Sequence, residues 1–155
     1  MKIFRFKKKK LNNLFTIIEE GSELLLGENV RFREFNSIVI KKNGKLTIGD
    51  NCFFNSYTSI SCLYNITIGN NSIFGEGIKI YDHNHTFEFK NDKRDYDDYK
   101  LKPVKIGNNC WIGSNVIILA GVTIGDNVVI GAGCLIYEDI ASGKIVKLKQ
   151  DLIVK

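Results

Sequence analysis

An all-β solenoid built from six-residue units is the fold class this sequence predicts, and three features carry the prediction. Isoleucine stands at Ile106, Ile112, Ile118, Ile124, Ile130 and Ile136, one residue in six without a break. Four positions after each comes a small or β-branched residue, in order Cys110, Val116, Val122, Val128, Cys134 and Ile140. Glycine follows four of the isoleucines directly, at Gly107, Gly113, Gly125 and Gly131. Isoleucine is 22 of 155 residues, so such a register arises by chance on the order of once in 10^5 trials, and a repeat is the economical cause.

Six is not a helical period, and the strand period of two does not single out one residue in six. Short flat strands joined by tight turns do so when three six-residue sides close one triangular coil. Each isoleucine then points to the axis and the small residue four later packs near a corner. Ile106-Gly107-Asn108-Asn109 and Ile124-Gly125-Asp126-Asn127 supply residues that tolerate the positive φ such corners require. Stacked coils bury a continuous aliphatic ladder, each repeat touching only its neighbours.

Taken from the N-terminus, residues 1–22 lack the period and form a basic segment. Within them Leu11, Leu14, Phe15 and Ile18 have helical spacing, which predicts a short helical cap over the open end of the coil. The coil itself is expected over residues 23–143. It opens with a weaker copy, Leu26-Gly27-Glu28-Asn29-Val30, followed by Ile38-Val39-Ile40. Two blocks continue it, Ile48, Phe54, Ile60, Ile66 and then Ile68, Phe74, Ile80, out of phase by two. The slip implies either a two-residue bulge at a corner or an Ile66 that itself sits in the corner. Residues 86–105 fit no hexad and are expected to leave the solenoid as one long excursion loop, a kind of segment that usually serves function. Residues 144–155, with Lys144, Lys147 and Lys149, read as a C-terminal tail.

Composition bounds the function. A chain 44% hydrophobic and 25% charged is globular rather than disordered. No apolar run reaches the roughly 18 residues of a membrane-spanning helix, and no signal peptide is evident, so a cytoplasmic protein is expected. The net charge of +5 is concentrated at Lys2, Arg5 and Lys7 to Lys10. This basic end suits a solvated segment or a weak contact with an anionic membrane surface. No nucleic-acid-binding signature is present, and no nucleic-acid partner is expected. Cys52, Cys62, Cys110 and Cys134 lack zinc-site pairing and read as reduced cysteines, three of them at inward hexad positions.

The two histidines, His83 and His85, stand in Tyr81-Asp82-His83-Asn84-His85, immediately before the excursion. On an extended strand residues two apart face the same way, so both imidazoles reach one cleft and Asn84 turns away. A neutral imidazole near pH 7 takes a proton from an attacking hydroxyl, which makes general-base work the leading role. No third ligand stands at metal-binding spacing, and no metal is expected.

The hexads, the histidines before a long loop, and Ile106-Gly107-Asn108-Asn109-Cys110-Trp111-Ile112-Gly113 resemble the left-handed β-helix acyltransferases, especially the galactoside and maltose acetyltransferases. The resemblance covers roughly residues 45–140. The Tyr81–His85 stretch is similar to the O-acetyltransferases of capsule, lipopolysaccharide and other bacterial surface glycans. It implies a left-handed parallel β-helix, a homotrimer with acetyl-CoA between neighbouring coils, and a carbohydrate acceptor. One ungapped frame from Gly69 places the family's catalytic histidine at His85 and its acceptor-pocket asparagine at Asn55. Asp82 and His83 then support the base or the acceptor, and Trp111, Gly113, Ser114 and Ala132 line the cofactor groove. The implied step is direct transfer, with backbone N–H groups near Trp111 to Ser114 steadying the oxyanion. The family's Lys-Asp-Ile-Pro-Pro ending is replaced here by Tyr137-Glu138-Asp139-Ile140-Ala141-Ser142-Gly143, and the three tail lysines are the candidates for the cofactor phosphates. Alternative readings are an N-acetyltransferase of a nucleotide-linked amino sugar or small molecule, and a non-catalytic trimeric scaffold.

Overall fold

The computed structural model describes residues 2–5, 14–86, 89–90, 93–94 and 98–149, with side chains described over 14–86 and 98–149. The chain winds around a triangular prism whose three faces are parallel sheets. Face I stacks Leu14–Ile18, Asn36–Ile40, Ser59–Cys62, Lys79–Tyr81, Ile117–Ile118 and Leu135–Ile136. Face II stacks Glu23–Leu26, Lys45–Ile48, Asn65–Ile68, Val104–Ile106 and Thr123–Ile124, and face III runs from Arg31–Phe32 through Trp111–Ile112 to Ile145–Val146. The order I, II, III repeats along the chain, so each turn of coil adds one parallel rung to every face. The predicted all-β solenoid is the observed architecture.

Every isoleucine of the hexad register is buried and pairs with its own kind: Ile106 with Ile124, Ile112 with Ile130, Ile118 with Ile136. Complete burial of such a side chain is worth roughly 1.5–3 kcal/mol, and the stacking repeats that gain at each rung. Phenylalanine replaces isoleucine on face III in the earlier turns. Phe32, Phe54 and Phe74 stack with ring centroids 4.8 and 4.4 Å apart. All four cysteines are buried and unbridged. Cys52 and Cys110 sit in corners, their Sγ atoms 3.0 Å from the Gly69 carbonyl and 3.2 Å from the Gly125 carbonyl. Burial pushes the Cys52, Cys62 and Cys110 thiols up, so they are inert core residues rather than nucleophiles.

Two expectations need correction. The helical cap is not formed over Leu14–Ile18, which is a face I strand pairing in parallel with Asn36–Ile40. Leu14, Thr16 and Ile18 are buried and Phe15 is exposed, a period of two that the 3.6-residue reading misassigned because Leu14 and Ile18 satisfy both. Leu11 lies outside the described residues, as does the Lys7 to Lys10 run. The coil therefore starts at Leu14, ahead of residue 23, and a last rung at Ile145–Val146 carries it past residue 143. Ahead of it Lys2–Arg5 pairs antiparallel with Glu23–Leu26. The second correction concerns the slip. Ile66 and Ile68 both face inward on one strand, and longer strands on faces I and II absorb the difference, with no bulge. Equivalent positions on successive turns are 22, 20, 38, 18 and 16 residues apart.

The three edges of the prism are built differently. Edge II/III is a ladder of Asn29, Asn51, Asn71, Asn109 and Asn127, all at φ of 55–57°. Each side-chain amide donates to the next at 3.1–3.2 Å. Asparagine suits the left-handed conformation because its short polar side chain bonds locally. Edge III/I also has one positive-φ position per turn, occupied by Phe35, Tyr57, Gly77, Asn115 and Gly133. Glycine meets no Cβ penalty there, whereas a bulky aromatic at φ of 60° or 64° stores strain of about 1–3 kcal/mol. Edge I/II carries the long 38-residue turn.

Candidate active site

The excursion leaves the coil at edge I/II, where Lys79–Tyr81 would otherwise turn directly onto face II. His83–His85 instead forms a strand that pairs antiparallel with Tyr99–Leu101, His83 opposite Leu101 and His85 opposite Tyr99. The neck of this hairpin is closed by the Lys102 N–H donating to the Asp82 carbonyl at 2.9 Å, and further out the Thr86 N–H donates to the Asp98 carbonyl at 3.0 Å. The chain re-enters the coil at Val104, which is buried opposite Ile66. The expected loop boundaries of 86 and 105 thus fall a few residues inside the departure and beyond the return.

Asp82 is fully buried and works as a fastener. Its two carboxylate oxygens accept the Leu63 and Tyr64 N–H groups at 2.8 Å each, closing the corner of the preceding turn. Oδ1, the oxygen that accepts from Leu63, also lies 3.2 Å from His83 Nδ1. Burial pushes this carboxyl up, but hydrogen bonds from His83, Leu63, Tyr64 and the Cys62 thiol outweigh it and hold the group below the usual carboxylate value. Asp82 is thereby placed as a positioning residue, its carboxylate oxygens engaged by the Leu63–Tyr64 corner and by His83.

Both imidazoles project to one side, as the alternation predicts, and Tyr99 stands between them. Its ring is 5.3 Å from His83, edge-on, and 4.6 Å from His85, tilted by 43°. His83 is largely enclosed, with Tyr81 edge-on at 6.0 Å and Asp82 fixing Nδ1, so its Nε2 is the end left to face a ligand. His85 is exposed and held by ring packing. Tyr99 is a site residue that spacing alone does not reveal, because the strand pairing that brings it back to His85 is decided by the hairpin.

The remaining predicted residues lie elsewhere on the prism. Asn55 sits at edge III/I, where its Oδ1 accepts the Ser56 N–H at 2.9 Å. Ser114 is two turns further along the same edge and its Oγ accepts the Glu76 N–H at 3.3 Å. Ala132 follows one turn later and is exposed. Gly113 is required by packing: a Cβ there would stand 2.6 Å from the Ala132 backbone nitrogen. Trp111 projects outward from face III at 60% exposure, in one outward row with Phe53, Ile73, Val129 and Ile145. The Trp111 and Gly113 N–H groups donate to the Val128 and Ile130 carbonyls at 2.9 and 2.7 Å. Those two donors are consumed by the coil and are not available to an oxyanion. A full face, roughly 15–20 Å wide at about 3.3 Å per residue, separates the histidines from Asn55 and Ser114 within one chain. No cluster of three or more His, Cys, Asp or Glu suited to a metal ion occurs among the described residues, and no helix among them is long and apolar enough to cross a membrane.

Comparison with known proteins gives this geometry a context. Residues 103–138 match the family model for the bacterial transferase hexapeptide (six repeats). Over 114 residues the chain is 30% identical to the protein named "Putative lipopolysaccharide biosynthesis O-acetyl transferase WbbJ" of Escherichia coli (strain K12), covering 69% of this chain and 55% of that one. The chain thus spans about half the length of this curated relative. Among solved structures, the hexapeptide-repeat containing acetyltransferase VCA0836 of Vibrio cholerae complexed with acetyl coenzyme A aligns with a TM-score of 0.66 at 26% identity, over 82% of this chain and 66% of that chain. A galactoside acetyltransferase in complex with coenzyme A aligns with a TM-score of 0.68 at 31% identity, over 82% and 60%.

Proposed function

We propose, for a chain that carries the bacterial transferase hexapeptide repeat and the coil of the hexapeptide-repeat acetyltransferases, an acetyl-CoA-dependent O-acetyltransferase acting on a sugar hydroxyl of a bacterial surface polysaccharide or its precursor. The observation that carries the reading is the histidine pair, set on an edge opened by a hairpin and backed by the buried Asp82. The relatives' printed activities support the acyl donor and the hydroxyl acceptor. The reaction is placed in the cytoplasm, where acetyl-CoA is available.

His85 removes the proton of the acceptor hydroxyl as its oxygen attacks the thioester carbonyl carbon. The tetrahedral intermediate collapses with expulsion of the CoA thiolate, which takes the proton back from the imidazolium. Asn55 orients the acceptor, and Trp111, Ser114 and Ala132 line the donor groove along face III and its edge. These groups occupy two different edges of one prism, so a working site joins edge I/II of one copy to edge III/I of a neighbour. Two unlike patches meeting in this way make a head-to-tail contact, which closes as a ring rather than as a two-fold dimer. Three copies are the ring that the resemblance implies. One observation favours a second assignment of the base: Asp82 holds His83 Nδ1 in place and fixes the tautomer that presents a basic Nε2.

Titration of the protein with acetyl-CoA, followed by transfer to a carbohydrate panel with His85→Ala and His83→Ala beside the wild type, tests the reading. His85→Ala is expected to lower turnover by about 10^2 to 10^4-fold with donor affinity retained. Full activity in His85→Ala with that loss in His83→Ala moves the base to His83. Absence of donor binding refutes the enzyme and leaves a scaffold.

A further inference from the structure

We propose that the stacked rings of Phe35 and Tyr57 form a ledge that binds a sugar ring of the acceptor beside Asn55, an inference that rests on the sugar O-acetyltransferase reading. The positive-φ column of edge III/I carries the argument. One hydrogen bond per turn defines it, from the N–H of Tyr57, Gly77, Asn115 and Gly133 to the carbonyls of Glu34, Ser56, Glu76 and Ser114. Three of its five positions hold glycine or asparagine, the residues this backbone accepts without strain. The two N-terminal turns hold aromatic side chains at φ of 60° and 64° instead.

The coil gains little from these rings. They point away from the core at 68% and 55% exposure and touch each other, centroids 5.1 Å apart and planes within 11°. A strained backbone bearing exposed rings is retained at ligand-contacting sites rather than for stability. The place is also specific. Tyr57 follows Asn55 by two residues on the same turn, so the ledge adjoins the position assigned to the acceptor, two turns away from Asn115 and Ser114 on the donor side.

The surroundings select the ligand class. Arg33, Glu34 and Glu76 are exposed around the pair, and the Arg31 and Arg33 guanidinium groups lie 5.6 and 5.8 Å from the Phe53 ring centroid. A small aromatic floor inside a rim of charged hydrogen-bonding groups matches a pyranose, whose C–H face packs on the negative face of a ring while its hydroxyls bond the rim.

Phe35→Asn and Tyr57→Asn, singly and together, test the ledge, since Asn115 shows that the column accepts asparagine. The expected result is a melting temperature equal to or above that of the wild type, unchanged acetyl-CoA affinity, and an acceptor KM raised about tenfold in the double variant. β-Galactosides, maltopentaose and a purified capsular polysaccharide serve as acceptors. An unchanged acceptor KM in folded variants overturns the ledge, as does a change of oligomeric state on gel filtration, which would assign the rings to an interface between copies. Wild-type protein that binds acetyl-CoA yet acetylates no carbohydrate refutes the sugar reading itself, and the ledge with it.

Discussion

Edges II/III and I/II of the prism are corners of the same coil, yet one is almost pure repetition and the other is where the repeat breaks. Five asparagines in identical left-handed conformations pass a side-chain hydrogen bond from turn to turn along the first. Along the second, the corner at Leu63 and Tyr64 is closed by a carboxylate borrowed from the next turn. That next turn opens into the hairpin carrying both histidines. Repetition supplies a rigid base because each unit solves the same packing problem as its neighbour. The interruption supplies side chains whose positions are not averaged over the array, which is what a catalytic group needs.

The contrast can be broken most strongly at Asp82. Asp82→Ala leaves two N–H groups of the Leu63–Tyr64 corner without their acceptor and frees the His83 ring, and a loss of about 3 kcal/mol in denaturant unfolding is expected. Turnover should fall as well. The carboxyl is held below its unfolded value of about 3.9, so its contribution is fully present above that pH and drains away as pH drops through the folded value. The wild type should therefore lose stability in acid more steeply than Asp82→Asn, as thermal melts between neutral pH and the acid limb would register.

A smaller effect is expected on the repetitive edge. Asn71→Ala places a Cβ-bearing residue without a local hydrogen-bond partner at φ of 57° and cuts the ladder between Asn51 and Asn109. A cost of about 1–2 kcal/mol with unchanged transfer kinetics would confirm that this edge is structural; a drop in turnover would contradict it. The smallest change lies at an exposed ion pair between Lys41 and Glu19 on edge I/II, 3.3 Å apart with half of the lysine side chain in water. Lys41→Ala should shift stability by less than about 0.5 kcal/mol, separating the edge's buried fastener from its surface charge.

What was legible in the sequence follows from how much of each feature is local. The hexads at Ile106 to Ile136 could be read because every unit repeats one solution, so the inward row and the corner glycines recur visibly. His83 and His85 could be read because alternation on a strand needs two residues only. The strand at Leu14–Ile18 was hidden because Leu14 and Ile18 fit a helix as well, and only pairing with Asn36–Ile40 decides between them. The aromatic pair at Phe35 and Tyr57 did leave a signal, two bulky residues in a column otherwise glycine or asparagine. That column becomes visible only once turn lengths of 22 and 20 residues are known.

By itself the sequence determined a triangular β-coil, its aliphatic axis, the inward place of Cys52, Cys110 and Cys134 and, to within a few residues, the point where the coil is interrupted. These depend on side-chain size and period, which the chain carries at every position. Tertiary structure alone decided that Asp82 faces inward to close another turn, that Tyr99 returns to lie between the histidines, and that Trp111 and Ser114 sit a full face away from them. Such relations join residues separated by one or more turns of coil, and their register depends on turn lengths that vary from 16 to 38 residues. The spacing of residues along the chain does not encode which edge of the prism they reach until those lengths are added.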